Sequence, residues 1–183
     1  MPAILSPLPA ITFLLLSSLF AGVPAQAEEQ AKISKQTLTR VDAAPDAPVF
    51  RLENLDGKLV SLNDYSGKIV IINFWATWCP PCRYEMPSMQ RAYEILSDND
   101  IVMLAINVGE DSETIFTFTA DYPVEFPLLM DKTAEITQQY GVAGIPATFV
   151  ISPGGKIIYR AIGSREWDAP AIIEKIRQIK QEQ

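Results

Sequence analysis

The stretch KIVIINFWATWCPPCRYEMP, Lys68–Pro87, changes character at its midpoint. Its first half, Lys68 to Ala76, is an almost unbroken run of β-branched and aromatic residues, as expected of a central strand buried on both faces. Its second half holds both cysteines of the 183-residue chain, Cys79 and Cys82, with only Pro80 and Pro81 between them. From Pro80 to about Leu96 the apolar residues Met86, Met89, Tyr93 and Leu96 recur at helical spacing, and Pro87 is expected to kink the helix they define. The two cysteines therefore stand where a buried strand gives way to a helix.

Three chemistries use cysteines at this spacing. A structural zinc needs four ligands, and with no histidine and no third cysteine in the chain a metal would have to be shared between subunits. A purely structural disulfide across so short a loop stabilises by only about 2 kcal/mol in the chain-entropy model, against about 5 for a loop of roughly 100 residues. A redox pair, by contrast, needs this arrangement. Positions i and i+3 of a helix share one face with Cα atoms about 5 Å apart, inside the range a disulfide spans. At the helix start, Cys79 meets unpaired N–H groups and the positive end of the dipole, which hold a thiol below its free value of about 8.5. Cys82, one turn in, is shielded and suited to resolving a mixed disulfide. Pro80 falls where a missing N–H costs nothing, and both prolines reduce the loop freedom that opposes ring closure.

Outward from this stretch the chain alternates strands and helices. VFRLENLDGKLVSL, Val49–Leu62, carries two short alternating runs around Asp56-Gly57 and predicts a hairpin. IVMLAINV, Ile101–Val108, predicts a second buried strand, followed by a helix over about Ser112 to Ala120, a short strand in FPLLMD and a helix from about Thr133 to Tyr140 that stops at Gly141. PATFVIS and KIIYRAIG flank the turn Ser152 to Gly155 as a second hairpin. Asp168 is expected to cap a final helix whose inner face carries Ile172, Ile173, Ile176 and Ile179. The pattern specifies one α/β domain, residues 49–183, with a mixed central sheet and flanking helices.

Composition narrows the chemistry further. Fifteen Lys and Arg against 22 Asp and Glu give a net charge of −7, and with no basic run to neutralise phosphates the partner is not nucleic acid. The absence of histidine removes the commonest general base. At the N-terminus, AITFLLLSSLFAGV, Ala10–Val23, is uncharged and largely apolar, and Ala25-Gln26-Ala27 supplies small residues for cleavage. Residues 1–27 read as a secretory signal cut after Ala27, although no Lys or Arg precedes Lys32; the alternative is a retained N-terminal anchor. Either places the domain outside the cytoplasm. Residues 28–48, polar and free of aromatics, read as a flexible spacer.

NFWATWCPPCRYEMP after a buried strand, joined to the distant GVAGIPATFVI of Gly141–Ile151, resembles the thioredoxin superfamily, and within it the TlpA/ResA-like extracytoplasmic thiol-disulfide oxidoreductases. The resemblance covers about Val49 to Lys180. It implies a thioredoxin-like fold with an N-terminal β-hairpin and a βα insert between about Val108 and Pro127. It also implies Cys79 as the attacking and Cys82 as the resolving cysteine, and a loop at Ile145-Pro146 facing them with the bond before Pro146 in cis. Without it, the expectation at Pro146 would be an ordinary trans turn. Glu85 falls where this branch often has a glutamate that tunes the thiols; read from the sequence alone it is equally a solvated helix charge. Trp78 is expected on the rim of the client site with Ile145, and Trp75 in the core. Asn73 departs from thioredoxin, which has a buried aspartate there, and this favours a narrower range of clients. The resemblance implies a monomer without cofactor or metal, electrons from a membrane thiol carrier, and protein disulfide clients, among them apocytochromes c. Two other readings stay in view: a thiol peroxidase, although Thr77 lies two and not three positions before Cys79, and a non-catalytic binding module.

Overall fold

In the computed structural model, which describes residues 37–96 and 100–181, the architecture grows from one strand. Every residue of β4, Ile69–Trp75, is buried, because both its faces and both its edges are covered. It pairs in parallel with β5, Ile101–Val108, and antiparallel with β7, Ala147–Ile151. Outward from β5 come β6, Leu128–Asp131, parallel to it, and then β2, Arg51–Asn54, and β3, Leu59–Ser61, which form the predicted hairpin. Outward from β7 come β8, Ile157–Ile162, and β1, Thr39–Arg40. The described residues thus form an eight-stranded mixed sheet in the order β1-β8-β7-β4-β5-β6-β2-β3.

The two faces follow the strand period of two. Ile69, Ile71 and Trp75 belong to the core under α1, Pro80–Leu96, and α4, Pro170–Gln181, together with Met86, Met89, Ile172 and Ile176. Val70, Ile72 and Phe74 belong to the opposite core, with Phe50, Tyr140 and Ile136 of α3, Glu135–Gln139. Asn73 therefore falls on the face that α1 covers. α1 runs through Pro87 to Leu96. The insert between β5 and β6 carries α2, Ser112–Asp121, where a helix was expected, capped by the Asp111 side chain. Among the described residues no helix is long and apolar enough to cross a membrane.

Two expectations are corrected. The spacer over 28–48 is part of the sheet where it is described. Thr39 and Arg40 pair with Arg160 and Tyr159, Asp46 bridges to Lys156, and Ala47 is buried. This segment closes the otherwise open edge of β8, and since both residues of β1 are exposed no hydrophobic alternation marks it. Residues 1–36, including the signal reading of 1–27, lie outside the described residues. Asp168, expected as the cap of α4, stands two positions before its first residue, Pro170, and its carboxylate accepts instead from Arg91 Nε at 2.5 Å.

Candidate active site

β4 ends at Trp75 and α1 begins at Pro80, so Cys79 occupies the N-cap of the helix. Its carbonyl accepts the first helical bond, from Arg83 N at 3.1 Å. Pro80 and Pro81 have no N–H to offer, so Cys82 N is the first free donor of the helix, and it points at Cys79 Sγ across 3.3 Å. The sulfur thus takes the place of the oxygen that Ser or Asp supplies at an N-cap. The two cysteines are joined in a disulfide with a Cα separation of 5.3 Å. Both are nearly closed to solvent, Cys79 at 3 % exposure and Cys82 at 0 %, so the expected difference is present but small. Trp78, beside them, is 66 % exposed, and Trp75 is in the core as expected.

The loop between α3 and β7 closes over the pair. The Ile145–Pro146 peptide bond is cis, and Ile145 O lies 3.7 Å from Cys79 Sγ. The Ile145-Pro146 loop and the cysteine pair, distant in sequence, are therefore brought together.

One turn after Cys82, α1 turns Glu85 inward to 1 % exposure. Three donors meet its carboxylate: Asn73 Nδ2 at 2.9 Å on Oε1, and Arg165 N at 3.1 Å and Trp167 Nε1 at 3.0 Å on Oε2. Burial nevertheless dominates and pushes the carboxyl up from its ordinary 4.5 to about 7, against the downward pull of those bonds and of the Arg165 charge. The solvated-charge reading of Glu85 is corrected accordingly. Asn73 Nδ2 also donates to Thr148 Oγ1 at 2.9 Å, joining β4, β7 and α1. The segment after β8 is pinned to α1 through Ser88 Oγ, which donates to Arg165 O at 3.2 Å and accepts from Trp167 N at 3.1 Å.

A second carboxylate stands on the other side of the turn. Gly109, at φ +81°, reverses the chain just past β5 as only glycine does easily. Glu110 Oε2 then accepts from Thr77 N at 2.7 Å and from Asn107 Nδ2 at 2.6 Å, while Oε1 accepts from Thr77 Oγ1. Arg165, Trp167, Thr148 and Glu110 were not singled out from the sequence. The one signal was Asn107, a buried polar residue next to the end of an otherwise apolar strand. A disulfide at a helix N-cap, with a carboxyl one turn further along the same helix that burial raises to about 7, is an arrangement that can exchange thiols and move a proton.

Comparison with known proteins places this geometry. The family model described as "AhpC/TSA family" matches residues 43–160. The chain is 37 % identical over 124 residues to the thiol-disulfide oxidoreductase ResA of Bacillus subtilis (strain 168), covering 68 % of this chain and 69 % of that one. It is 40 % identical over 119 residues to the ResA of Geobacillus thermodenitrificans, covering 65 % and 68 %. Among solved structures it is similar to a putative thiol:disulfide interchange protein DsbE from Chlorobium tepidum, with a TM-score of 0.66, 30 % identity, and 80 % of this chain and 98 % of that chain covered.

Proposed function

The chain belongs to the AhpC/TSA family, as a ResA-type thiol-disulfide oxidoreductase of thioredoxin-like fold, and from that premise we propose that it reduces disulfides of protein clients outside the cytoplasm through Cys79 and Cys82. The observation that carries the reading is the sulfur of Cys79 at the N-cap, facing Cys82 N–H at 3.3 Å and the Ile145 carbonyl at 3.7 Å.

In the dithiol state the Cys79 thiolate accepts the Cys82 N–H and gains the helix-start potential. It attacks one sulfur of the client disulfide; a mixed disulfide forms and the client's other sulfur leaves as thiolate. Cys82 then loses its proton and attacks Cys79 Sγ, which releases the second client sulfur and closes the Cys79–Cys82 disulfide. Two electrons pass to the client, and the two client thiolates take up two protons. Glu85, held near neutrality by burial, is the group that accepts the Cys82 proton. An extended client segment lies along the Ile145-Pro146 loop, using backbone pairing as an added strand would, with Trp78 as its apolar rim. A membrane thiol carrier returns the electrons, the domain is released by cleavage after Ala27, and the cysteines of apocytochromes c are the client class.

The test is reduction of insulin by the pre-reduced chain, compared with Cys79→Ser and Cys82→Ser. Cys79→Ser is expected to be inactive and Cys82→Ser to accumulate a mixed disulfide. Activity that survives in Cys79→Ser overturns the reading. The client class is tested by a disulfide peptide carrying a haem-attachment motif, expected to be reduced faster than insulin.

A further inference from the structure

Glu110 lies outside the disulfide and its proposed proton acceptor, yet it collects both hydrogen-bond donors of Thr77, two positions before Cys79. The reason lies in the sheet. The parallel pairing of β4 with β5 ends at Trp75 opposite Asn107. Beyond it the Thr77 N–H has no strand to pair with, and a part-buried N–H without a partner is costly. Within the turn only Cys79 N to Ala76 O, at 3.3 Å, holds the backbone. Glu110 supplies the missing acceptors, and is itself fixed by Asn107, whose Nδ2 donates to Oε2 at 2.6 Å and whose Oδ1 accepts Glu110 N at 3.2 Å. Asn107 is fully buried, so the clamp is anchored in the sheet and ends on the turn that presents Trp78 and Cys79.

We propose that Glu110 is a positioning residue that, through Thr77, holds the Thr77-Trp78 turn in its client-binding shape before the client arrives. Trp78, at 66 % exposure, has little packing of its own to fix it, so the turn beneath it must. Thr77 is also a wall of a groove of about 520 Å³ shared with Arg83, Phe118 and Tyr122, and Arg83 lies over the Tyr122 ring at 5.3 Å. One carboxylate therefore shapes the indole, the groove wall and the approach to Cys79 Sγ together. Ordering a loose turn on binding subtracts from affinity, so loss of the clamp acts on KM more than on kcat. The inference rests on the reading that Cys79 attacks protein clients, and two readouts separate the two.

The first is amide hydrogen exchange at Thr77 and Trp78 in the full chain, which needs no activity. Exchange is expected to quicken about tenfold in Glu110→Gln, whose amide sets an N–H against the donors, and in Thr77→Val, which deletes only the hydroxyl. The second is insulin reduction, where both variants are expected to raise KM about tenfold with kcat lowered by less than about threefold. Thr77→Ser keeps the hydroxyl and should recover most of what Thr77→Val loses. Unchanged exchange, a loss confined to kcat, or Thr77→Ser as impaired as Thr77→Val overturns the proposal. A parental chain that reduces no insulin, with exchange still quickened in the variants, sinks the client reading and leaves the clamp standing.

Discussion

The two carboxylates Glu85 and Glu110 are built alike and differ in burial, the first fully enclosed and the second at a part-buried edge. Glu85 takes donors from Asn73, Arg165 and Trp167; Glu110 takes them from Thr77, twice, and Asn107. Each ties together segments that meet only in the fold. The difference is water. Glu85 is sealed beneath α1, and the loss of hydration outweighs its bonds, so that its carboxyl titrates at about 7. Glu110 lies at the part-buried edge of the turn, where its role is to supply acceptors to a backbone that would otherwise lack them. Three donors meet each carboxylate, so burial and not the number of bonds separates the two.

The strongest way to break this comparison is Glu85→Gln. If Glu85 takes the Cys82 proton, client reduction should fall about 100-fold, and the limb of the pH–rate profile near 7 should disappear. Stopped-flow reduction of insulin between pH 5 and 9 measures both. The same residue controls stability with a definite sign. Its carboxyl binds a proton more tightly in the fold, at about 7, than at its ordinary 4.5. The folded chain is therefore most stable, on this account, below pH 4.5, loses stability as pH rises through that interval, and is level above about 7. The shift corresponds to about 3 kcal/mol. Urea unfolding of the oxidised chain should show that fall, and Glu85→Gln should flatten it.

Glu110→Gln is the contrasting case and the next largest effect. It should weaken client binding about tenfold, worth about 1.4 kcal/mol, while the pH limb stays where the parental chain has it. A Glu110 variant that moved the limb near 7 would make the two carboxylates one system and erase the distinction.

How much of this the sequence declares depends on how local the cause is. The β4 run, the helix after the cysteines and the hairpins are legible because period and turn residues act within a few positions. The cysteine pair is legible for the same reason, since its partners are three residues apart. β1 is not, because its two exposed residues are held by the vacant edge of β8, a property of the assembled sheet. Asp168 misleads because Pro170 already starts α4 and Arg91, from another helix, takes the carboxylate. The Glu110 clamp spans 33 residues and the Trp167 bond 82, and nothing in either neighbourhood announces its partner. Glu85 was found through resemblance, and its burial, which decides its chemistry, became visible only once α1 lay on β4.

The smallest effect tests the sealed carboxylate from its far side. Trp167 lies in the loop after β8, fully enclosed at 1 % exposure, and gives Glu85 Oε2 one of its two N–H bonds. That bond favours the ionised carboxylate and so lowers its pKa against the rise caused by burial. Trp167→Phe keeps an aromatic ring in the core and deletes the donor. A hydrogen bond to a charged group is worth about 1.5 kcal/mol, or roughly one pH unit, and the Arg165 N–H and the Asn73 amide remain to hold the carboxylate. The limb of the rate profile should therefore move upward by up to about one unit, with the rate on its alkaline side reduced far less than in Glu85→Gln. A downward shift would mean that the smaller ring admits water and that hydration, not the lost donor, governs the carboxyl.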